Sequence, residues 1–440
     1  MYITVYKASP IPSMYTEAAF QLPSGFPYLV DDDALEVIEP ALLYLCNQFI
    51  RAGRYKAGPT AEAAAYDLMD WWRYLGEKGR DWTDVDIDFF ADYREDRLAT
   101  VSPQTHETLK PKTIRRRMSR AFDYCKWAIK SKLMSADGLG SLREIQHLIS
   151  SPSSDYEPGD PAFDEVPSDS VTDLLPEDKT EGHEHVNVLS PHSWQTLQSE
   201  LGPLPSEAKK TGDLRPTRDR LASEFSLQTG LRVDEVANLT IKQILGLQIP
   251  DGAPDEMKLK MHVTKTKRLR PRDVEVPVYL VRELYTYIDG EREETLTVAK
   301  RYWLKGNTRK PVSLFLNGTA ARHHAGKRIQ SDTLSRQFHA AVLRAGLLNV
   351  VDKIDPETVE SYLTQVAMHC YHDLRHTFAV WTYYAEKAAG NAEPWVIIQR
   401  LLGHKHLSTT LNIYLKHVDS ERRDTNALVF GATRRRFSGN

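Results

Sequence analysis

Residues 151–185 cannot build a core of their own, and that divides the chain. Eleven acids (Asp155, Glu157, Asp160, Asp164, Glu165, Asp169, Asp173, Glu177, Asp178, Glu181 and Glu184) stand there against one base, Lys179, among prolines and serines and with no apolar period. Such a stretch buries too little apolar surface to offset the entropy of ordering it. It reads as an extended, solvated linker, and the 440 residues resolve into two domains of ordinary size on either side. The boundaries expected are an N-terminal extension over 1–34, a helical domain over 35–148, the linker over 149–187, a mixed α/β domain over 188–424 and a tail over 425–440.

Cores of that size need neither disulfides nor structural metals. The three cysteines, Cys46, Cys125 and Cys370, lie far apart, an odd and sparse set that fits a reducing compartment. No apolar run approaches the roughly 18 residues needed to span a bilayer. The first thirty residues carry four prolines and Glu17 where a signal peptide needs a basic start and an apolar stretch. A cytoplasmic, globular protein with no membrane partner is expected. Fifty-seven bases against 60 acids give a net charge of −3. The linker alone holds −10, so the rest of the chain stands at −3 + 10 = +7, mildly basic.

The helical domain shows three amphipathic stretches. Thr60 can cap a helix whose Ala64, Ala65, Leu68, Trp71, Trp72 and Leu75 recur at helical spacing. Thr83 with Asp86 opens a second, carrying Ile87, Phe90 and Tyr93. Thr113 opens a third, with Ile114, Met118, Ala121, Tyr124, Cys125 and Ala128 inward. The whole of 35–145 is therefore read as helical. The outer face of the third helix carries Arg115, Arg116, Arg117 and Arg120, just after Lys110 and Lys112, six positive charges in eleven residues. The plain reading is a solvated face; the sharper one is a surface for a DNA backbone. The acidic linker likewise reads as a tether, or as an arm competing with DNA for a basic groove.

Beyond 188 the pattern is mixed. A helix around 216–229 leads into Thr229-Gly230-Leu231-Arg232. Met257, Leu259, Met261 and Val263 alternate as a half-buried strand does, and Val274, Val276 and Val278 alternate again, so the basic segment between them forms a hairpin. Leu314–Leu316 reads as a third short strand, and from Thr333 onward the chain returns to helices. The fold class expected is mostly α with a small antiparallel β-sheet.

Four segments carry chemistry together. TGLRVDEVANL places Arg232 one helical turn before Glu235. HVTKTKRLRPRDVEVP puts Lys265 at the edge of the hairpin, with Lys267 as its competitor. HDLRHTFA sets His372 and Arg375 at i, i+3, and LLGHKHLSTTLNIYLKH sets His404 ten residues before Tyr414. This ordered set closely resembles the catalytic domain of tyrosine recombinases, the phage integrase family. That family's order is an Arg in G-L-R-x-x-E, a Lys in a β-hairpin, H-x-x-R, L-G-H and a Tyr nine or ten residues on. The resemblance covers 190–420, and the helical region resembles the family's core-binding domain by pattern. Two departures stand out: T-K-T where many relatives have G-K-G, and a linker longer than the family's connector.

The resemblance implies a site-specific recombinase that cleaves and rejoins DNA through a covalent 3′-phosphotyrosine, for integration or recombination of a mobile element. Tyr414 would be the nucleophile. Arg232 and Arg375 would offer planar forks to the phosphate's non-bridging oxygens, and His404 a third hydrogen bond. Lys265 would protonate the leaving 5′ oxygen, His372 would help accept the tyrosine proton, and Glu235 would orient Arg232 or a histidine. The reaction needs no ATP, metal or small-molecule cofactor. The partners implied are double-stranded DNA, clamped between the two domains, and further copies of the chain in a tetramer on two DNA sites.

Three alternatives compete. His369, Cys370, His372 and His376 cluster as metal ligands can, though Arg375 among them would repel a cation. A non-catalytic DNA-binding regulator on the same scaffold would be expected to lose the tyrosine or an arginine, and neither is lost. A type IB topoisomerase shares the chemistry, but the L-S-T-T-L-N-I-Y run favours a recombinase. The tail's Ala427–Phe430 patch could pack on a neighbouring protomer or on its own domain, with Arg434–Arg436 a basic end.

Overall fold

The computed structural model describes residues 2–9, 22–51, 54–55, 59–135, 176, 186–264, 271–304, 309–404, 406–408, 410–411, 413–414 and 418. Lys265, Lys267, the tail and the linker apart from Pro176, Val186 and Asn187 lie outside the described residues. The chain forms two compact units, Met1–Lys179 with Asp352–Tyr362, and Thr180–Val351 with Leu363–Asn440.

In the first unit, β1 (Ile3–Lys7) pairs antiparallel with β2 (Pro27–Asp31), which pairs with the short β3 (Glu36–Val37). Helix α1 (Glu39–Phe49) follows, then a pair of two-residue strands, β4 (Ile50–Arg51) and β5 (Arg54–Tyr55). So 35–145 is not wholly helical. Nor does 1–34 stand apart as an extension: Ile3, Phe26 and Leu29 are fully buried in the helices' core, and Arg73 donates to the carbonyl of Ile3 from Nε and Nη2.

Three long helices complete that core, α2 (Pro59–Lys78), α3 (Ile87–Ala99) and α4 (Pro111–Lys130). Asp86 caps α3 by accepting from the Phe89 amide, an N-cap bond typically worth about 1 kcal/mol. Pro111 starts α4, where its missing N–H costs nothing. Aromatic rings join the three: Trp71 stacks on Phe90 at 4.6 Å between centroids and Phe90 on Phe122 at 4.0 Å. Asp70 of α2 accepts from Tyr93, Arg97 and Arg117, so the carboxylate among these rings is fully paired.

The second unit begins with α5 (Pro191–Leu201), α6 (Pro205–Thr211) and α7 (Arg218–Thr229), followed by the short α8 (Val233–Ala237) and α9 (Ile241–Leu245). Strands β6 (Lys258–Val263) and β7 (Arg272–Pro277) form the expected antiparallel pair, with Met261 opposite Val274. Helices α10 (Val278–Asp289) and α11 (Glu291–Ala299) come next. Leu314–Leu316 is buried but is no strand; it makes isolated bridges, Thr240 to Ser313 just before it and Leu316 to Arg328 at its end. Of its carbonyls, Leu314 accepts from Arg292 and Leu316 from Arg218, while Phe315 accepts from the Ile329 amide.

After α12 (Ser331–Arg344) the chain does not stay helical. β8 (Leu348–Ile354) and β9 (Ser361–Ala367) make a two-stranded sheet. The Asp355 carboxylate turns the chain between them by accepting from the amides of Glu357 and Thr358. Helices α13 (Asp373–Ala388) and α14 (Pro394–Leu402) follow, and Tyr414 lies in helical conformation beyond them. Among the described residues, no helix is long and apolar enough to cross a membrane.

Candidate active site

The site is assembled around the C-terminal end of α7. Gly230 takes a left-handed conformation (φ 67°) there, and a Cβ on it would lie 2.7 Å from Cε1 of Phe378 and 3.0 Å from Cδ2 of Leu402. Only glycine satisfies both demands. The turn buries Leu231 and places Arg232 at the N-cap of α8, where its own amide donates to the Glu235 carboxylate at 2.9 Å.

Glu235 is buried and is held from the other side by a residue that the motif reading passed over. Arg272, at the start of β7, donates to it through both terminal nitrogens, at 2.8 and 2.7 Å. Its Nε donates to the carbonyl of Leu401 in the last turn of α14. Gly403, also left-handed, packs its Cα against the Arg272 stem; a Cβ there would fall 2.7 Å from Cδ. Arg272 thereby ties the G-L-R segment, the hairpin and the L-G-H segment together. The available signal was its alternation with Val274 and Val276, which turns a basic side chain inward.

Arg375, in the first turn of α13, is 2 % exposed. It donates to the carbonyls of Gly230 at 2.6 Å and Leu402 at 2.7 Å, and its Nη2 lies 3.2 Å from Nε2 of His404. Since a guanidinium only donates, that nitrogen of His404 accepts, so its proton sits on Nδ1 and points to Thr410 Oγ1 at 2.9 Å. In this arrangement His404 steadies Arg375. Of the five N–H donors of Arg375, three are used in these bonds and two remain among the described residues. Arg232 is the more open of the two arginines, its side chain 28 % exposed beside Glu235.

Tyr414 is buried, and its hydroxyl lies 3.1 Å from Nδ1 of His376, the residue after Arg375. His372, expected to serve the tyrosine, is exposed at the N-cap of α13, its ring edge-on to that of His376 at 4.7 Å. The structure therefore brings together Arg232, Glu235, Arg375, His404 and Tyr414, and adds Arg272, His376 and Thr410.

The charges do not balance. Three guanidiniums meet one carboxylate, which leaves +2 with His404 neutral. Burial, then the neighbouring Arg232, pushes the Arg375 guanidinium down to about 9. Burial, then Arg375, Arg232 and Arg272, pushes His404 down to about 3, so its ring stays neutral. Burial raises Tyr414 to about 12 against the pull of Arg375 and Arg232. Burial also opposes the charge of Glu235, but the hydrogen bonds and charge of Arg272 outweigh it and hold the carboxyl below its ordinary range. A buried surplus of positive charge with spare donors is suited to an anion. A cavity of about 420 Å³ adjoins the site at Arg272 and His404 and is lined also by Gln399 and Arg400. A larger one, about 900 Å³, lies around Asp213–Asp219 and Glu291 and touches none of these groups. Among the described residues no three His, Cys, Asp or Glu side chains converge as metal ligands would.

The sequence model of the phage integrase family matches residues 198–421, half of the chain. The chain belongs to the phage integrase family. It is a site-specific tyrosine recombinase, an enzyme of DNA recombination. No curated protein sequence matches this recombinase. Solved structures similar to it include the Tn1549 transposon integrase in complex with circular intermediate DNA (17 % identical, TM-score 0.45, covering 84 % of this chain and 94 % of that one). A lambda integrase dimer bound to a COC′ core site is 14 % identical, with a TM-score of 0.46 and coverage of 84 % and 93 %. XerA recombinase is 16 % identical, with a TM-score of 0.31 and coverage of 88 % and 98 %.

Proposed function

We propose that Tyr414 is the nucleophile of this recombinase and that Arg232 and Arg375 hold the scissile phosphate. The observation that carries this reading is the charge imbalance around the tyrosine: three guanidiniums, one carboxylate and a neutral imidazole. A phosphodiester supplies the missing negative charge, and arginine forks match its two non-bridging oxygens. Tyr414 Oη bonds to phosphorus, the P–O5′ bond breaks, the phenolic proton passes to a base and Lys265 protonates O5′. The product is a 3′-phosphotyrosine with a free 5′ hydroxyl, and attack by a partner strand's 5′ hydroxyl reverses the step. The bond energy is kept in the phosphotyrosine, so no ATP is consumed, and the arginines supply the charge relief without a metal. Losing one well-aimed donor of this kind costs about 3–4 kcal/mol of barrier. Glu235 and Arg272 orient Arg232, and His404 steadies Arg375.

The helical unit serves, in this reading, as the core DNA-binding domain, and 188–424 as the catalytic domain. At the start of α4, the N-cap Lys110 and Lys112 are exposed and Arg115 is half-buried, three charges suited to backbone phosphates. Arg116 and Arg117 are paired with Asp67 and Asp70 of α2, and Arg120 donates to the Tyr44 hydroxyl, so these three contribute less. Exchange between two duplexes requires four strand cleavages. With one Tyr414 per chain, a tetramer on two DNA sites supplies them.

The test is a nicked suicide duplex carrying a candidate site from DNA flanking the gene, incubated without divalent metal and read on a denaturing gel. A protease-sensitive 3′ adduct that vanishes in Tyr414→Phe is expected. DNA binding without an adduct would point to a regulator, and relaxation of supercoils lacking any special site would point to a topoisomerase.

A further inference from the structure

The proposed reaction needs a group to take the phenolic proton, and the structure supplies one that the motif reading did not assign. We propose that His376 is a further catalytic residue, whose Nδ1 accepts the proton of Tyr414 as its oxygen bonds to phosphorus. The inference rests on the reading of Tyr414 as nucleophile.

Geometry separates the three histidines of the site. His376 Nδ1 is 3.1 Å from the Tyr414 hydroxyl, within hydrogen-bond reach of the proton to be moved, and both residues are buried. His404 has no lone pair to give: Nε2 is turned to Arg375, and Nδ1 carries the proton donated to Thr410. His372 meets His376 edge-on, with ring centroids 4.7 Å apart, and is exposed. Position on the helix fixes the choice. His376 follows Arg375 directly on α13, so the helix that aims the phosphate-binding arginine also sets the imidazole against the nucleophile.

The groups facing His376 include Tyr414 on one side, His372 edge-on, and His404 within electrostatic range. Arg375 and Arg232 act on the phenol itself and stabilise the phenolate as it forms. In cleavage, the Oη–H bond breaks and its electron pair goes to phosphorus. The proton moves to Nδ1 of a ring protonated at Nε2, and the imidazolium is left beside the new phosphotyrosine. In religation the same proton returns to the departing phenolate, so one residue serves both directions. A fixed phenol at neutral pH is a poor nucleophile without such an acceptor, and general-base help of this type is worth roughly 100- to 10,000-fold.

The test uses His376→Asn in the full chain. Asn places an amide oxygen near the position of Nδ1, keeping a hydrogen-bond acceptor that cannot take a proton. Single-turnover cleavage is measured on the suicide duplex across pH, with DNA affinity and thermal stability measured in parallel. The expected result is near-normal binding and folding, cleavage slowed about 100-fold or more, and loss of the fall in rate toward acid pH that protonation of the imidazole causes in the wild type. A second duplex carries sulfur in place of O5′, a leaving group that needs no proton. Lys265→Ala should recover on it, whereas His376→Asn should not. Wild-type or faster cleavage by His376→Asn, or recovery on the sulfur duplex, overturns the assignment to His376 alone. An adduct that persists in Tyr414→Phe overturns the tyrosine reading and this inference with it.

Discussion

Glu235 shows how much of the site depends on one atom group. Its carboxylate takes both forks of Arg272 and the amide of Arg232, and it is the sole negative charge among three described arginines. Glu235→Gln keeps the shape but leaves Arg272 buried without its counter-charge, which should cost about 3–5 kcal/mol in chemical unfolding. The pH dependence follows from the depressed carboxyl. Its contribution is present above the unfolded value, about 4.5, and is lost as pH falls through the lower folded value. The wild type should therefore lose stability below about pH 4.5, and that acid limb should be shallower in Glu235→Gln. Gly230→Ala is a second test at this scale. The new methyl meets Phe378 at a positive φ, so a loss of more than about 1 kcal/mol is expected, together with slower cleavage because the Gly230 carbonyl holds Arg375.

Among the elements, α4 divides its arginines between two duties, and salt dependence can tell them apart. Arg116 pairs with Asp67, a carboxylate 2 % exposed, so Arg116→Gln should lower thermal stability more than DNA affinity. Arg115→Gln should leave stability unchanged and reduce the slope of log K against log salt by about 0.9, one phosphate contact. Equal slopes for the two variants would contradict that division. The helices themselves were legible because periodicity records burial: Trp71, Phe90 and Met118 stand on the faces that the spacing assigns. The β6–β7 pair was legible by the same logic at period two. The β8–β9 pair was not, since its strands are largely exposed and show no apolar alternation, and the Asp355-Pro356 turn was its only mark. Leu314–Leu316 misled for the opposite reason, being buried for packing while arginine side chains share its carbonyls with isolated backbone bonds. In the site, five residues were legible from motif order. Arg272 was hidden in a run of basic residues, and His376 lay within a quoted motif whose pairing with Tyr414 only the fold reveals.

For the whole molecule, the surplus charge predicts that a bound anion stabilises the fold. Inorganic phosphate or sulfate at about 100 times its dissociation constant should add about 2.7 kcal/mol, a rise in Tm of roughly 5–10 °C for a unit of this size. Differential scanning fluorimetry checks it, and Arg232→Ala should remove most of the rise; an equal rise in that variant would show the anion bound elsewhere. The bond from Arg375 to the Gly230 carbonyl has a consequence for how the enzyme forms. It joins residues 145 apart in sequence. A hairpin such as β6–β7 closes in about 1–10 μs, but α7 and α13 meet only after a long loop has been closed, and contacts of that separation slow folding. After a jump out of denaturant, helical and hairpin signals should return first, and the capacity to form the DNA adduct should return in a later phase. Until that contact forms, the chain has its helices but not its assembled arginine cluster.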